Sequence, residues 1–243
     1  MGKQFCKINS DNHSCVNCSK RTLSLFEGLN ETELDLLNQN RVVVNFKKGE
    51  TIYKENCKPS GLYCLNEGKV KLVKYSHKNR EIIISLKRPV DFLDMEALIL
   101  GSNYTHSAIA LEDSSVCIID EEHFNKVLMN NTHFAKKLLH EFASELMKHE
   151  KHFINITQKQ IHARVAETLI NLSEFYGVDP DGFIDVSLKR QDIASLSGMT
   201  PANVIRTITL FEKQNLIESN KKRIKILDKP RLQQIAEETD ELS

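Results

Sequence analysis

Residues Arg190 to Lys213 read RQDIASLSGMTPANVIRTITLFEK, and this stretch decides the fold. Ser187 is placed to cap a short helix over Lys189 to Leu196 that carries Ile193 and Ala194 inward, and Gly198 then permits a tight turn. Thr200 followed by Pro201 restarts the helix, with a hydroxyl at the N-cap and a proline at the first helical position, where its missing N–H costs nothing. Val204, Ile208 and Phe211 fall on one face by i, i+4, i+7 spacing, which leaves Ala202, Asn203, Arg206 and Thr209 facing outward. A helix, a glycine turn and a second capped helix are the parts of a helix-turn-helix.

Downstream, the apolar runs Leu216 to Glu218 and Ile224 to Leu227 flank a cationic tip, Ser219 to Arg223, and so predict a β-hairpin wing. In a major groove Arg206 can bond guanine O6 and N7 in bidentate fashion, while Asn203 bonds adenine or phosphate. Thr200, Ala202 and Thr209 share that helix surface. Lys189, Arg190, Lys221, Lys222 and Arg223 are placed to neutralise phosphates, which makes affinity fall with salt. Over the whole chain 33 basic residues balance 33 acidic ones, yet Val186 to Arg231 holds ten basic against four acidic residues. The neutral total averages a basic block with acidic flanks, and double-stranded DNA is the expected partner.

Upstream, residues Val42 to Ile119 contain short β-branched and aromatic runs broken by turn signals: Val42 to Phe46, Gly61 to Leu65, Lys69 to Tyr75 and Glu81 to Leu86. Such spacing predicts a sandwich or barrel. From Thr132 the apolar period changes to three and four, through Ala135, Leu139, Phe142, Leu146, His149, Phe153 and Ile156, with charged residues between. A helix of about 40 Å follows from the rise per residue, and the narrow seam Leu139, Phe142, Leu146, His149, Phe153, Ile156 predicts a homodimer. A further helix over Ala163 to Phe175 ends at Gly177, and Asp179 to Gly182 is a turn before a short strand at Phe183 to Val186. The fold class is α+β: a Cys-rich arm (1–24), a β-roll (25–130), a dimerisation helix (131–160) and a winged helix-turn-helix (161–243). The 243 residues, 40% hydrophobic and 27% charged, exclude a small disulfide scaffold or a disordered tail. No apolar run approaches the ~20 residues of a membrane span and Met1 to Ser14 lack a secretory core, so a cytoplasmic protein without a membrane partner is expected. No Ser/His/Asp or paired-carboxylate constellation points to an enzyme. A rival reading is a ligand-binding regulatory subunit whose β-roll gates a partner protein without sequence-specific DNA binding.

The chain resembles the Crp/Fnr transcription regulators over nearly its whole length. The resemblance rests on Gly61 to Lys71 (GLYCLNEGKVK), Arg164 to Leu172 (RVAETLINL), Arg190 to Ala194 (RQDIA) and Val204 to Arg206. It implies a cyclic-nucleotide-binding-like β-roll of jelly-roll type, a homodimer on a palindromic site, and RNA polymerase as a further partner. Relatives that bind cAMP grip it with a Gly-Glu pair and then an Arg-Ser pair. Here the matching stretches are Val90 to Leu98 and Asn103 to Ala108, and the second holds no arginine, so cAMP is not expected. Relatives that read a TGA-containing half-site carry Glu where this chain has Ala202.

Six cysteines stand at 6, 15, 18, 57, 64 and 117. The pair Cys15 and Cys18 resembles the Cys-x-x-Cys of the oxygen-sensing Fnr branch, and Cys117 its distant β-roll cysteine. Where that branch has a further cysteine, this chain has Ser24. Cys6 is then the candidate fourth ligand, giving Cys6, Cys15, Cys18 and Cys117 for a [4Fe–4S] cluster, which needs four thiolates. The cluster would place the regulator under redox, oxygen or nitric oxide control. Three alternatives stay open: a Cys15–Cys18 thiol switch, zinc on Cys6, His13, Cys15 and Cys18, or haem ligated by His149, His140, His152 or His106. Cys57 and Cys64 read as ordinary turn and strand residues.

Overall fold

The computed structural model describes Cys15, Cys18 and residues 21–76 and 80–238. The chain forms two units, Met1–Tyr75 with Ile84–Ser144 and Ser76–Ile83 with Glu145–Ser243. In order, the elements are α1 (Glu31–Asn38), β1 (Val42–Phe46), β2 (Thr51–Tyr53), β3 (Leu62–Glu67), β4 (Val70–Tyr75), β5 (Glu81–Lys87), β6 (Phe92–Leu93), α2 (Met95–Ile99), β7 (Ser107–Ala110), β8 (Ser114–Ile119), α3 (Glu121–Asn130), α4 (Thr132–Gln158), α5 (Ile161–Tyr176), α6 (Arg190–Leu196), α7 (Pro201–Lys213), β9 (Ile217–Asn220), β10 (Arg223–Ile226) and α8 (Lys229–Ala236). Among the described residues no helix is long and apolar enough to cross a membrane.

The expected β-roll consists of two four-stranded sheets, ordered β1-β8-β3-β6 and β2-β7-β4-β5. In the first sheet β8 lies between β1 and β3, antiparallel to both, with Leu62↔Ile119, Tyr63↔Ile118, Cys64↔Cys117 and Leu65↔Val116 in register. Because side chains alternate across a strand, each central strand serves two cores. Tyr63, Leu65, Val116 and Ile118 join Tyr53, Leu72 and Tyr104 in one. Leu62 and Ile119 join Phe92, Leu34 and Leu37 of α1, Phe124 of α3 and Phe134 and Leu138 of α4 in the other. Burial of each such large apolar side chain contributes about 1.5–3 kcal/mol.

Polar caps set where the covering helices begin. Asn30 Oδ1 accepts from the Glu33 N–H at 2.9 Å while Glu33 Oε2 accepts from the Asn30 N–H at 2.9 Å, starting α1. Asp120 Oδ1 starts α3 by accepting from Glu122 and His123, and Asn131 Oδ1 accepts from the Phe134 N–H in the first turn of α4.

Helix α4 carries two apolar stripes. Phe134 and Leu138 are buried and Phe142 packs against the same core, a stripe that the heptad reading missed apart from Phe142. Leu139, Leu146 and Phe153 form the second stripe and stand 68%, 61% and 70% exposed. Of the expected seam, His149 is also exposed, whereas Phe142 and Ile156 are partly buried within the chain. Ile156 lies under Gly198, 3.2 Å from where a Cβ at that glycine would stand.

Two local expectations change. Ser187 does not cap α6, because Asp192 Oδ2 accepts from the Lys189 N–H at 2.8 Å and fixes the helix start at Arg190. The strand expected at Phe183 to Val186 reduces to one bridge between Val178 and Ile184. There Asp179 Oδ1 accepts from the N–H groups of Asp181 and Phe183 and holds the chain in a turn.

Gly68, between β3 and β4, has φ +90°, and a Cβ there would meet Ser114 Cα at 2.7 Å. Gly68→Ala should therefore destabilise the first unit by about 1–3 kcal/mol through overpacking and strain, read as a lower urea midpoint with an unchanged slope.

Candidate nucleic-acid interface and cysteine cluster

The second unit displays the helix-turn-helix. Asp192 roots α6, and Ser197 Oγ donates to the Ile193 carbonyl at 2.9 Å and pairs with Thr168 Oγ1 of α5 at 2.9 Å. Gly198, at φ +63°, makes the turn. Thr200 Oγ1 accepts from the Asn203 N–H and Pro201 occupies the first turn, so α7 starts where the capping signal placed it. Val204, Thr207, Ile208 and Phe211 are buried, which turns Ala202, Arg206 and Thr209 to solvent with Asn203 partly so. Ile205 is also exposed. Sequence periodicity passed over it, although an apolar side chain on such a surface suits a thymine methyl. Arg80 and Ile83, also of this unit, bond the motif from outside: Arg80 Nη2 donates to the Met199 carbonyl at 2.9 Å and the Ile83 N–H to Ser195 Oγ at 2.7 Å.

The predicted wing is the β9–β10 hairpin, with Asn220↔Arg223 and Ile217↔Ile226 in register. Its two-residue turn leaves Lys221 and Lys222 exposed at the tip, with Lys221 at φ +56°. Arg223 is differently employed. Its guanidinium pairs with Asp179 and Asp181 and lies 4.4 Å from the Phe183 ring centroid, anchoring the hairpin to the turn before it. Lys189 is exposed, but Arg190 is half-buried, and desolvation lowers its pKa. Lys189, Arg206, Lys221 and Lys222 are exposed, while Arg190 is half-buried and Arg223 is paired within the fold.

In the first unit, Cys64 and Cys117 are register partners on β3 and β8, in phase with Leu62 and Ile119. Cys15 is buried in the core on that face, and Cys64 packs against the same core. The Cys15 N–H donates to Asn38 Oδ1 at 2.8 Å, and Arg41 Nη1 donates to Cys117 Sγ at 3.2 Å. Burial raises the Cys15 thiol to about 11, against the opposing charge of Arg41. It raises Cys64 and Cys117 as well. Of the four expected ligands, Cys15 lies in this core and Cys117 on the sheet strand opposite Cys64. Cys6, like His13, lies outside the described residues, and Cys57 is exposed. Cys64, read from the sequence as an ordinary strand residue, is a partly buried residue of β3. Among the described residues no three His, Cys, Asp or Glu side chains are placed to hold a single metal ion.

The pattern of the cyclic nucleotide-binding domain matches residues 43–131, and that of the Crp-like helix-turn-helix domain matches residues 163–235. The chain belongs to the Crp/Fnr family. This Crp/Fnr chain is 26% identical over 233 residues to the nitrogen fixation regulation protein FixK of Bradyrhizobium diazoefficiens, covering 94% of this chain and 96% of that one. With the fumarate and nitrate reduction regulatory protein of Vibrio cholerae it shares 26% over 229 residues, 91% of this chain and 90% of the other. The solved structure of FixK2 from Bradyrhizobium japonicum has the same fold, with a TM-score of 0.72 at 24% identity over 80% of this chain and 96% of that one. The protein is a DNA-binding transcription regulator of the Crp/Fnr type, and its relatives are regulators rather than enzymes. The reading as a regulatory subunit without DNA binding gives way to this one.

In this Crp/Fnr β-roll the stretch matching the nucleotide grip of cAMP-binding relatives is turned inward. Asp94, His106 and Ser107 are buried, His106 Nε2 stands 3.4 Å from Asp94 Oδ2, and Tyr53 stacks on Tyr104 with ring centroids 3.8 Å apart. Burial lowers the His106 pKa from 6.5 to about 4, so at neutral pH this contact is not an ion pair.

Two predictions follow from these sites. The unfolded chain protonates at His106 near pH 6.5 and the folded chain near pH 4, so this stability is complete above pH 6.5 and is lost as pH falls toward 4. The full loss is on the order of 3 kcal/mol. Asp94, raised by its own burial, has the opposite sign, so the histidine's share is the difference in denaturation midpoints between wild type and His106→Gln across this window. On DNA, Arg206→Ala should lose about 1–3 kcal/mol of base discrimination. Lys222→Ala should weaken specific and random DNA equally and reduce the salt slope by about one. Equal losses on both DNAs for Arg206→Ala would remove its base-reading role.

Proposed function

We propose that this regulator is a homodimer that reads a two-fold-symmetric DNA site through α7, and that redox chemistry at its cysteines controls binding. The observation that carries the reading is that Cys15 and Phe134 and Leu138 of α4 share one core. A change at the thiols is thereby felt by the helix whose other stripe is open for a partner. Leu139, Leu146 and Phe153 repeat every seven residues and leave a seam that a second copy would cover. Two-fold pairing sets the two α7 helices about one DNA turn apart, roughly 34 Å. Arg206 and Asn203 then read bases, Thr200, Ala202 and Thr209 line the same surface, and Lys189, Lys221 and Lys222 hold phosphates. RNA polymerase is the expected further partner on promoter DNA.

The donor chemistry would suit a thiolate-bound iron–sulfur centre, since Cys15 is buried in the core, Cys117 accepts from Arg41 Nη1, and Cys18 follows Cys15 by three residues on the arm. When bound, the group would supply sensitivity to oxygen or nitric oxide. The chain's own residues bury it, orient the arm through Asn38 and tie both to β8. The naming of one relative for fumarate and nitrate reduction supports control by respiratory conditions. Residues 103–108 supply no arginine to grip a cyclic phosphate, so cAMP is not the proposed effector.

Gel-shift and sedimentation experiments under anaerobic and aerated conditions test the reading. Expected are salt-sensitive, sequence-selective binding by a dimer that changes with air, and monomers with weakened operator binding for Leu146→Glu. Binding that is identical in air and without it, by protein free of iron and sulfide, would sink the redox part.

A further inference from the structure

The proposed redox centre lacks an assigned fourth thiol, and the inference here rests on that reading. We propose that the fourth thiol is Cys64, so that the centre is held by two cysteines of the arm, Cys15 and Cys18, and two of the sheet, Cys64 and Cys117. Cys6 then has no part in it.

The register carries the argument. Cys64 and Cys117 face each other across β3 and β8, and side chains at directly opposed positions leave the sheet on the same side with Cβ atoms about 4.5–5.5 Å apart. The side is fixed by their neighbours in phase, Leu62 and Ile119, which lie in the core that also holds Cys15. Asn38 of α1 pins the arm there by accepting from the Cys15 N–H. The arm itself offers no third thiol among its described residues. At the position where the oxygen-sensing branch has one, Ser24 Oγ donates to the Arg21 carbonyl at 2.8 Å and accepts from the Phe26 N–H at 3.1 Å. That serine closes a turn and is fully used by it.

A four-iron cluster takes one thiolate on each iron, and Cys15, Cys18, Cys64 and Cys117 would supply the four. Arg41, already donating to Cys117 Sγ, supplies positive charge where four thiolates accumulate negative charge. Two ligands on adjacent central strands and two on the arm would make the cluster a staple between the arm and the face on which Phe134 and Leu138 of α4 pack.

The test uses the full chain, purified anaerobically and reconstituted with ferrous iron and sulfide, as wild type, Cys6→Ser, Cys57→Ser, Cys64→Ser and Cys64→Val. Iron and sulfide per chain, iron retained against a ferrous chelator, and the electron paramagnetic resonance spectrum of the reduced form are measured. Cys6→Ser and Cys57→Ser should match wild type. The Cys64 variants should lose iron to the chelator at least about tenfold more readily, or, where serine oxygen replaces sulfur, show a shifted spectrum. Valine fills the strand position, and the melting temperatures of the iron-free proteins separate ligand loss from unfolding. Full iron and an unchanged spectrum in both Cys64 variants overturn the proposal. Loss in Cys6→Ser alone overturns it while leaving the cluster reading intact, and a wild type that takes up no iron overturns both.

Discussion

The antiparallel pairing of β3 with β8 is the constraint on which the first unit depends. It places two strands from distant parts of the chain side by side at the centre of a sheet that is buried on both faces. One face closes the sandwich through Tyr63, Leu65, Val116 and Ile118. The other receives α1, α3 and the start of α4. A slip of one residue would turn over the slipped strand and drive its cysteine into the sandwich, which is why register is strongly specified here.

Placement of the thiols follows from that pairing. Cys64 and Cys117 are partly buried on the sheet face that carries Leu62 and Ile119, and Cys117 accepts from the Arg41 guanidinium. Burial alone would keep such thiols neutral and inert. Arg41 opposes this at Cys15 and Cys117, though burial outweighs it at both. On α4, Phe134, Leu138 and Phe142 pack on this core while Leu139, Leu146 and Phe153 are exposed.

The second unit shows how short-range signals position a reading surface. Thr200, Pro201 and Gly198 act within a few residues of one another, and they alone fix where α7 starts. Once Val204, Ile208 and Phe211 are buried, the orientation of Arg206 is fixed by helix geometry. The wing differs, since Arg223 is held by two aspartates more than 40 residues away in sequence. A count of basic residues cannot tell such an anchor from a free cation.

By itself the sequence determined several elements whose signal is local. β1 begins and ends where Val42 to Phe46 predicted, α7 starts at its cap, α5 ends at Gly177, and the wing folds around its cationic tip. It also determined the family, because the quoted runs in the β-roll and in the helix-turn-helix are contiguous. Only the tertiary structure decided that Cys64 lies opposite Cys117, that Arg190 is half-buried and Arg223 paired within the fold, and that Phe142 and Ile156 turn back into the chain. Periodicity gives the face of a strand or helix but not the partner across from it. That partner is chosen by register and packing between segments far apart in sequence, where no local propensity reaches.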